Sequence, residues 1–369
     1  MTMSAVAVDS VPATMRASVL TSPGEVGIED RPVPTAQAGE VLVRIGSVGV
    51  CGSDVHYYQH GRIADFVVRQ PLVLGHEAGG TIVDVGAGVP SERLGQRVAL
   101  EPGVPCRVCD QCKHGRYNLC PDVRFLATPP IDGAFAEYLA IAADFAHPIP
   151  DSISDDAAGL LEPLSVGIWA CQKANVGPGS TVLITGAGPI GILTTQVASA
   201  FGATDITVTD VSAERLRVAR TFGATRVINV TEDEMPGLSV ESYIDCSGVP
   251  SAVVAGIRST APAGHIVLVG MGADEISIPV GVLQGRELKL TGAFRYANTY
   301  PTAIAMAEAG LVDLDALVTA TFDLGHVVEA LEHSQLPTSM KAIVRPGGLA
   351  DDGRPAAGGM AASGNLATP

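Results

Sequence analysis

A chain of 369 residues is long enough for two domains with separate cores. Its 39 Asp and Glu outnumber 23 Lys and Arg, for a net charge of −16. That balance lacks the clustered cations that nucleic acids and anionic membrane surfaces recruit, so neither is read as a partner. No apolar run reaches the length of a membrane span. Residues 1–14, interrupted by Asp9, lack the basic start and apolar core of a signal peptide. The expected setting is therefore the reducing cytoplasm, where seven Cys serve as metal ligands and buried thiols rather than disulfides.

Residues 15–150 read as short β runs, at 15–20, 40–46, 80–85 and 97–100, punctuated by Gly and Pro as in a compact barrel-like domain. Two cysteine patterns lie within it. Cys51 opens Cys51-Gly52-Ser53-Asp54-Val55-His56, and Gly75-His76-Glu77 follows. Side chains converging from such glycine turns suit an open metal site with three protein ligands: Cys51, His76 and a carboxylate, either Glu77 or Glu162. Standing alone, His76-Glu77 would equally suit an ordinary buried pair. The second pattern is dense: Cys106, Cys109, Cys112 and Cys120, spaced C-x2-C-x2-C-x7-C among polar and basic residues. A loop without an apolar core needs another source of folding free energy, which Zn²⁺ on four thiolates supplies. An iron–sulfur cluster shares the first two intervals but not the last, and a metal-free thiol loop is the remaining reading.

From residue 180 the rhythm changes. Strands are predicted at 180–185, 205–210, 226–229, 243–246, 265–270 and 287–291, with helices at 190–201 and 212–222. Such alternation indicates an α/β fold with a doubly wound parallel sheet. Helices predicted at 301–309 and 326–333 follow that sheet and suit a return to the first domain. Gly186-Ala187-Gly188-Pro189-Ile190-Gly191 fits G-x-G-x-x-G between a buried strand and a helix. Gly186, Gly188 and Gly191 allow a tight turn and the approach of a pyrophosphate to the helix N-terminus, which Ile190 helps to open. Asp210 ends the next strand. A carboxylate there accepts from a ribose 2′-hydroxyl and repels a 2′-phosphate, favouring NAD over NADP. Arg215 either packs against the adenine or is a solvated helix residue.

These motifs, in this order, resemble the zinc-dependent medium-chain alcohol dehydrogenases over roughly residues 15–346. The resemblance implies a flexible start at 1–14 and a GroES-like zinc catalytic domain at 15–164. A Rossmann NAD-binding domain at 165–297, a return to the catalytic domain at 298–348 and a disordered tail at 349–369 complete it. Many members carry a second zinc-ligating Cys where this chain has Glu162. Glu162-Pro163-Leu164-Ser165-Val166-Gly167, Tyr57, residues 124–130 and Gly292-Ala293-Phe294-Arg295-Tyr296-Ala297-Asn298-Thr299 are instead similar to the sorbitol and xylitol dehydrogenases.

In that subfamily the residues matching Cys51, His76 and Glu77 bind the catalytic zinc, and the one matching Glu162 reaches the metal directly or through water. The four Cys are expected to hold a structural zinc, a site that some animal members of the subfamily lack. The implied reaction takes an alditol to a 2-ketose: zinc lowers the pKa of a secondary alcohol, and the alkoxide passes a hydride to the nicotinamide. Ser53 and His56 match the proton relay, with Glu162 a competing general base. Tyr57, Glu162, Arg295 and Tyr296 are the expected partners of the polyol hydroxyls. Adjacent residues of a regular strand face opposite ways, so Arg295 and Tyr296 both meet substrate only from an irregular segment. Val269, Gly270 and Met271 are expected along the nicotinamide ribose, with Ala293, Phe294 and Arg295 completing the cofactor site. The same resemblance implies a homotetramer. A threonine or aldose dehydrogenase is the alternative enzyme, with Phe294-Arg295-Tyr296 against the former. A non-catalytic zinc and nucleotide-binding protein would be marked by loss of Cys51, His76 or the relay residues, and all are present.

Overall fold

The computed structural model describes residues 11–233 and 237–348. The expected flexible start, over its residues 1–10, and the expected tail at 349–369 lie outside the described residues. The first part of the chain forms β1 (Thr14–Ser22), β2 (Glu25–Pro32), β3 (Glu40–Gly49), α1 (Gly52–His60), β4 (Glu77–Val85), β5 (Arg97–Leu100), β6 (Tyr138–Ala142) and β7 (Ala146–Pro148). β1 and β2 are an antiparallel hairpin. β3 is the hub of a larger sheet, antiparallel to both β4 and β6, and β5 and β7 extend it beyond β4. Val41, Val43, Ile45 and Val48 of β3 are buried. β3 continues three residues past its predicted end and so delivers the chain directly to Cys51.

Helix α2 (Asp155–Lys173) leads into the second sheet. Ser154 caps it by accepting from the Ala157 N–H at 3.0 Å, and Asp155 and Asp156 occupy the positive first turn. Pro163 sits inside the helix, where its ring removes the hydrogen bond to the Gly159 carbonyl. The expected domain boundary at 164/165 falls within this helix, which packs on β4 and also on α3 (Pro189–Ala200). Its approach to β4 requires two missing side chains. A Cβ on Gly79 would lie 2.5 Å from Ala158 Cβ, and one on Gly159 would lie 2.8 Å from the Glu77 carbonyl oxygen. Glu162, one turn beyond Gly159, is thereby lowered over the start of β4.

The second sheet consists of β8 (Thr181–Thr185), β9 (Asp205–Asp210), β10 (Arg226–Asn229), β11 (Val240–Asp245), β12 (Thr260–Leu268) and β13 (Lys289–Gly292). Helices α3, α4 (Ala213–Thr221) and α5 (Pro250–Ser259) connect its strands. The strand order is β10-β9-β8-β11-β12-β13, and every pair is parallel. Val182, Leu183 and Ile184 of β8 are completely buried, as a strand covered on both faces requires. The order reverses between β8 and β11, which places a crevice at the carboxyl ends of those strands. α6 (Tyr300–Glu308), β14 (Val318–Asp323), α7 (Val327–His333) and β15 (Lys341–Arg345) close the chain. β15 pairs with β3, so the return to the first sheet is made by two strands as well as the predicted helices. Among the described residues no helix is long and apolar enough to cross a membrane.

Candidate active site

Cys51 is the N-cap of α1. The Asp54 carboxylate, fully buried one turn on, accepts from the Cys51 N–H at 3.0 Å and the Gly75 N–H at 2.9 Å, and lies 3.7 Å from His76 Nδ1. One side chain thus ties both glycine turns together and orients the imidazole between them. Burial pulls the His76 pKa down, but the facing Asp54 and Cys51 outweigh it and hold the ring well above its ordinary value. The ligand atoms of Cys51, His76 and Glu77 all lie within 4.8 Å of one another. A thiol, an imidazole and a carboxylate so close together are a donor set suited to zinc, with room for a further ligand on the cavity side.

Glu77 is held from behind. Lys341 Nζ, on β15, lies 2.5 Å from both Glu77 oxygens and 3.1 Å from the Val50 carbonyl. Burial pulls Lys341 down, and the opposite charge of Glu77 more than restores it. Glu162 enters the same cavity from α2, and its Oε1 accepts from the Tyr296 hydroxyl at 2.8 Å. Burial pushes the Glu162 carboxyl up to about 7, against the pull of His76.

The cavity has a volume of about 260 Å³. Cys51, Ser53, His76, Glu77 and Glu162 form its floor, and Tyr57 and Arg295 line it beside them. Ile190, Val269, Met271, Ala293 and Phe294 line it from the second sheet. Arg295 has φ +53° in an irregular stretch, so it and Tyr296 escape strand alternation. The Arg295 guanidinium lies 3.6 Å from the Phe125 ring centroid, and its Nη2 donates to Thr128 Oγ1 at 3.5 Å. Burial lowers it to about 10, so it stays charged at neutral pH. Tyr296 is buried behind the cavity and reaches it through Glu162. His56 is not brought in: it lies on the exposed side of α1, with its ring 5.8 Å from that of His60.

The glycine turn fits a dinucleotide. Gly186 has φ +91°, and a Cβ on Gly191 would fall 1.8 Å from the Gly186 carbonyl oxygen, so the turn closes only without side chains. A Cβ on Gly188, the N-cap of α3, would meet nothing within 4 Å, leaving its outer side open to an anion at the helix N-terminus. Asp210 secures the turn by accepting from the Ala187 N–H at 2.7 Å, and it also accepts from Ser212 at 2.9 Å. Gly270 abuts Gly248, whose amide nitrogen would lie 2.2 Å from an added Cβ. Arg215 donates from Nε to the Pro337 carbonyl at 3.1 Å.

The dense cysteines also converge. The Cys109 and Cys112 sulfurs are 3.5 Å apart and those of Cys106 and Cys112 4.0 Å apart, with Cys120 inside the same 4.8 Å group. Tetrahedral zinc with sulfurs at about 2.3 Å requires sulfurs about 3.8 Å apart, so this site fits it too. The Val108 and Cys109 amides lower the Cys106 thiol to about 7. Sequence reasoning singled out neither Asp54 nor Lys341. Asp54 has a local signal, an acid three residues after an N-cap. Lys341 stands 264 residues from Glu77 and has none.

A metal trio at the mouth of a dinucleotide crevice defines a metal-dependent oxidoreductase. Residues 37–151 match the alcohol dehydrogenase GroES-like domain, and residues 189–309 match the zinc-binding dehydrogenase family. Sorbitol dehydrogenase of Bacillus subtilis (strain 168) is 43% identical over 334 residues, covering 88% of this chain and 95% of that protein. Sorbitol dehydrogenase of Mus musculus is 43% identical over 337 residues, covering 89% and 94%. A crystal structure of an alcohol dehydrogenase from E. coli CFT073, complexed with NADH, superposes with a TM-score of 0.85 at 31% identity, covering 90% of this chain and 100% of that one. The chain belongs to the zinc-dependent medium-chain alcohol dehydrogenases, in their sorbitol dehydrogenase subfamily.

Proposed function

We propose that the protein oxidises an alditol, sorbitol or xylitol, to the 2-ketose with NAD as hydride acceptor. The observation that carries this reading is Glu162, bonded to Tyr296 and standing in one cavity with Cys51, His76, Glu77 and the Arg295 guanidinium. When bound, zinc supplies Lewis acidity toward an alcohol and NAD accepts the hydride. Cys51, His76 and Glu77 would hold the catalytic zinc, with Asp54 orienting the imidazole and Lys341 steadying Glu77. Cys106, Cys109, Cys112 and Cys120 would hold the structural zinc. Glu162, whose carboxyl is ionisable near neutrality, accepts the hydroxyl proton or a hydrogen bond from it. Ser53 lines the cavity, while His56, the expected outer member of the proton relay, lies on the exposed side of α1.

Tyr57, Arg295 and Tyr296 serve the remaining hydroxyls, the last through Glu162. Gly186, Gly188, Ile190 and Gly191 would take the pyrophosphate, and Asp210, with Arg215 nearby, the adenosine ribose. Val269, Gly270, Met271, Ala293, Phe294 and Arg295 would surround the nicotinamide end. Residues 15–164 and 298–348 would serve metal and substrate, and 165–297 would serve NAD and bring Arg295 and Tyr296 to the substrate side. A homotetramer, implied by the family resemblance, and a cytoplasmic setting remain the expected form; the free Cys side chains accord with a reducing compartment. Dialysis against a zinc chelator tests the metal dependence. NADH formation from sorbitol is expected to fall at least about tenfold and to return on adding Zn²⁺; undiminished turnover by metal-free protein overturns the reading.

A further inference from the structure

Residues 293–298 carry Arg295 and Tyr296 to the cavity, yet their backbone is strained. Arg295 and Asn298 both have positive φ, at +53° and +59°. For Arg that conformation brings Cβ too close to the following carbonyl oxygen, and Asn tolerates it better. Such a segment keeps its shape only if its surroundings impose it.

Three of the hydrogen bonds that hold this segment come from one place. Asn118 Nδ2 donates to the Phe294 carbonyl at 2.8 Å, just before Arg295. The Asn298 N–H donates to the Tyr117 hydroxyl oxygen at 2.7 Å, and Asn298 Nδ2 donates to the Gly115 carbonyl at 2.9 Å. All three partners, Gly115, Tyr117 and Asn118, lie between Cys112 and Cys120. Asn118 is buried, so its bond to Phe294 is shielded from water. The lobe offers little rigidity of its own: a four-residue helix at Asp110–Lys113, a three-residue turn at Tyr117–Leu119, and sulfurs that converge on a common point.

We infer that Asn118 and Asn298 are positioning residues through which the four-cysteine lobe sets the substrate-facing geometry of Arg295 and Tyr296. The inference rests on the polyol reading for its kinetic consequence but not for the tether itself. The lobe has no lining residue in the cavity; it acts at a distance by holding both ends of a strained loop. Loss of its order would let residues 293–298 relax and release the guanidinium from Phe125 and the Tyr296 hydroxyl from Glu162.

Asn118→Ala and Asn298→Gly test this in the full-length, zinc-loaded protein. Glycine can keep the left-handed backbone at 298 while the side-chain bond to Gly115 is lost. Both variants are expected to keep the zinc content of the parent and to lower kcat/KM for sorbitol about fivefold to tenfold. Hydrogen exchange is expected to quicken at amides 293–299. Unchanged exchange there in both variants overturns the tether, as does a kcat/KM for sorbitol within about twofold of the parent. Exchange needs no substrate, so failure of the parent to oxidise any alditol would refute the polyol reading and leave the tether judged on its own. Cys112→Ser is expected to quicken exchange in the same segment; normal protection there in a folded, metal-depleted lobe contradicts the dependence on the cysteines.

Discussion

In the proposed polyol reaction, Glu162 is the side chain on which the chemistry turns. Its importance was legible in the sequence, because a carboxylate stands where many relatives place a thiolate. Its surroundings were less so: the Tyr296 hydroxyl reaches it only because the segment around Arg295 bends out of strand geometry. Burial raises its carboxyl to about 7 from an ordinary 4.5. Folding of the metal-free chain therefore favours the protonated form. That contribution is full below about 4.5 and is lost as pH rises through about 7. Glu162→Gln, which never ionises and still accepts from Tyr296, is expected to melt about 2–4 °C above the metal-free parent at pH 8, with the gap closing toward pH 5. Thermal melts across that range check it, and a gap independent of pH contradicts it. Asp54 shows the opposite case. It lies inside the quoted Cys51 motif, but only the structure reveals that it bonds to both glycine turns.

The parallel sheet was legible strand by strand, since β8 through β13 are short apolar runs separated by helical spacing. The strands after residue 310 were not. β15 is defined by its pairing with β3, nearly the whole chain away, and no local pattern announces such a partner. Its consequence is chemical, because β15 carries Lys341 to Glu77. A buried carboxylate that loses its countercharge is destabilising by about 3–5 kcal/mol. Lys341→Met is expected to lower unfolding free energy by that amount, and Glu77→Gln in the same chain to recover much of it. Denaturant unfolding of the metal-free proteins reads both; a loss under about 1 kcal/mol for Lys341→Met would mean the pair is as weak as an exposed one. The glycines at 79 and 159 belong to this scale too, since they let α2 press on β4 and fix where Glu162 stands.

Across the molecule, the two sheets divide the work. The first gathers the candidate metal ligands from turns around β3 and β4, and the second presents a glycine turn and Asp210 at its reversal point. The cavity between them joins residues from both, including Glu162 and Tyr57 from one side and Ile190 and Val269 from the other. The order of motifs was enough to foresee that meeting, but not the contacts that set its shape, such as Arg295 over Phe125 or the tether to Asn118. What the cavity accepts is decided most directly by initial rates of reduced-cofactor formation with sorbitol, xylitol, ethanol and threonine, each with NAD and with NADP. Sorbitol or xylitol with NAD is expected to give the highest kcat/KM, by at least about tenfold over ethanol and threonine. Ethanol or threonine above every alditol, or NADP above NAD, would contradict it.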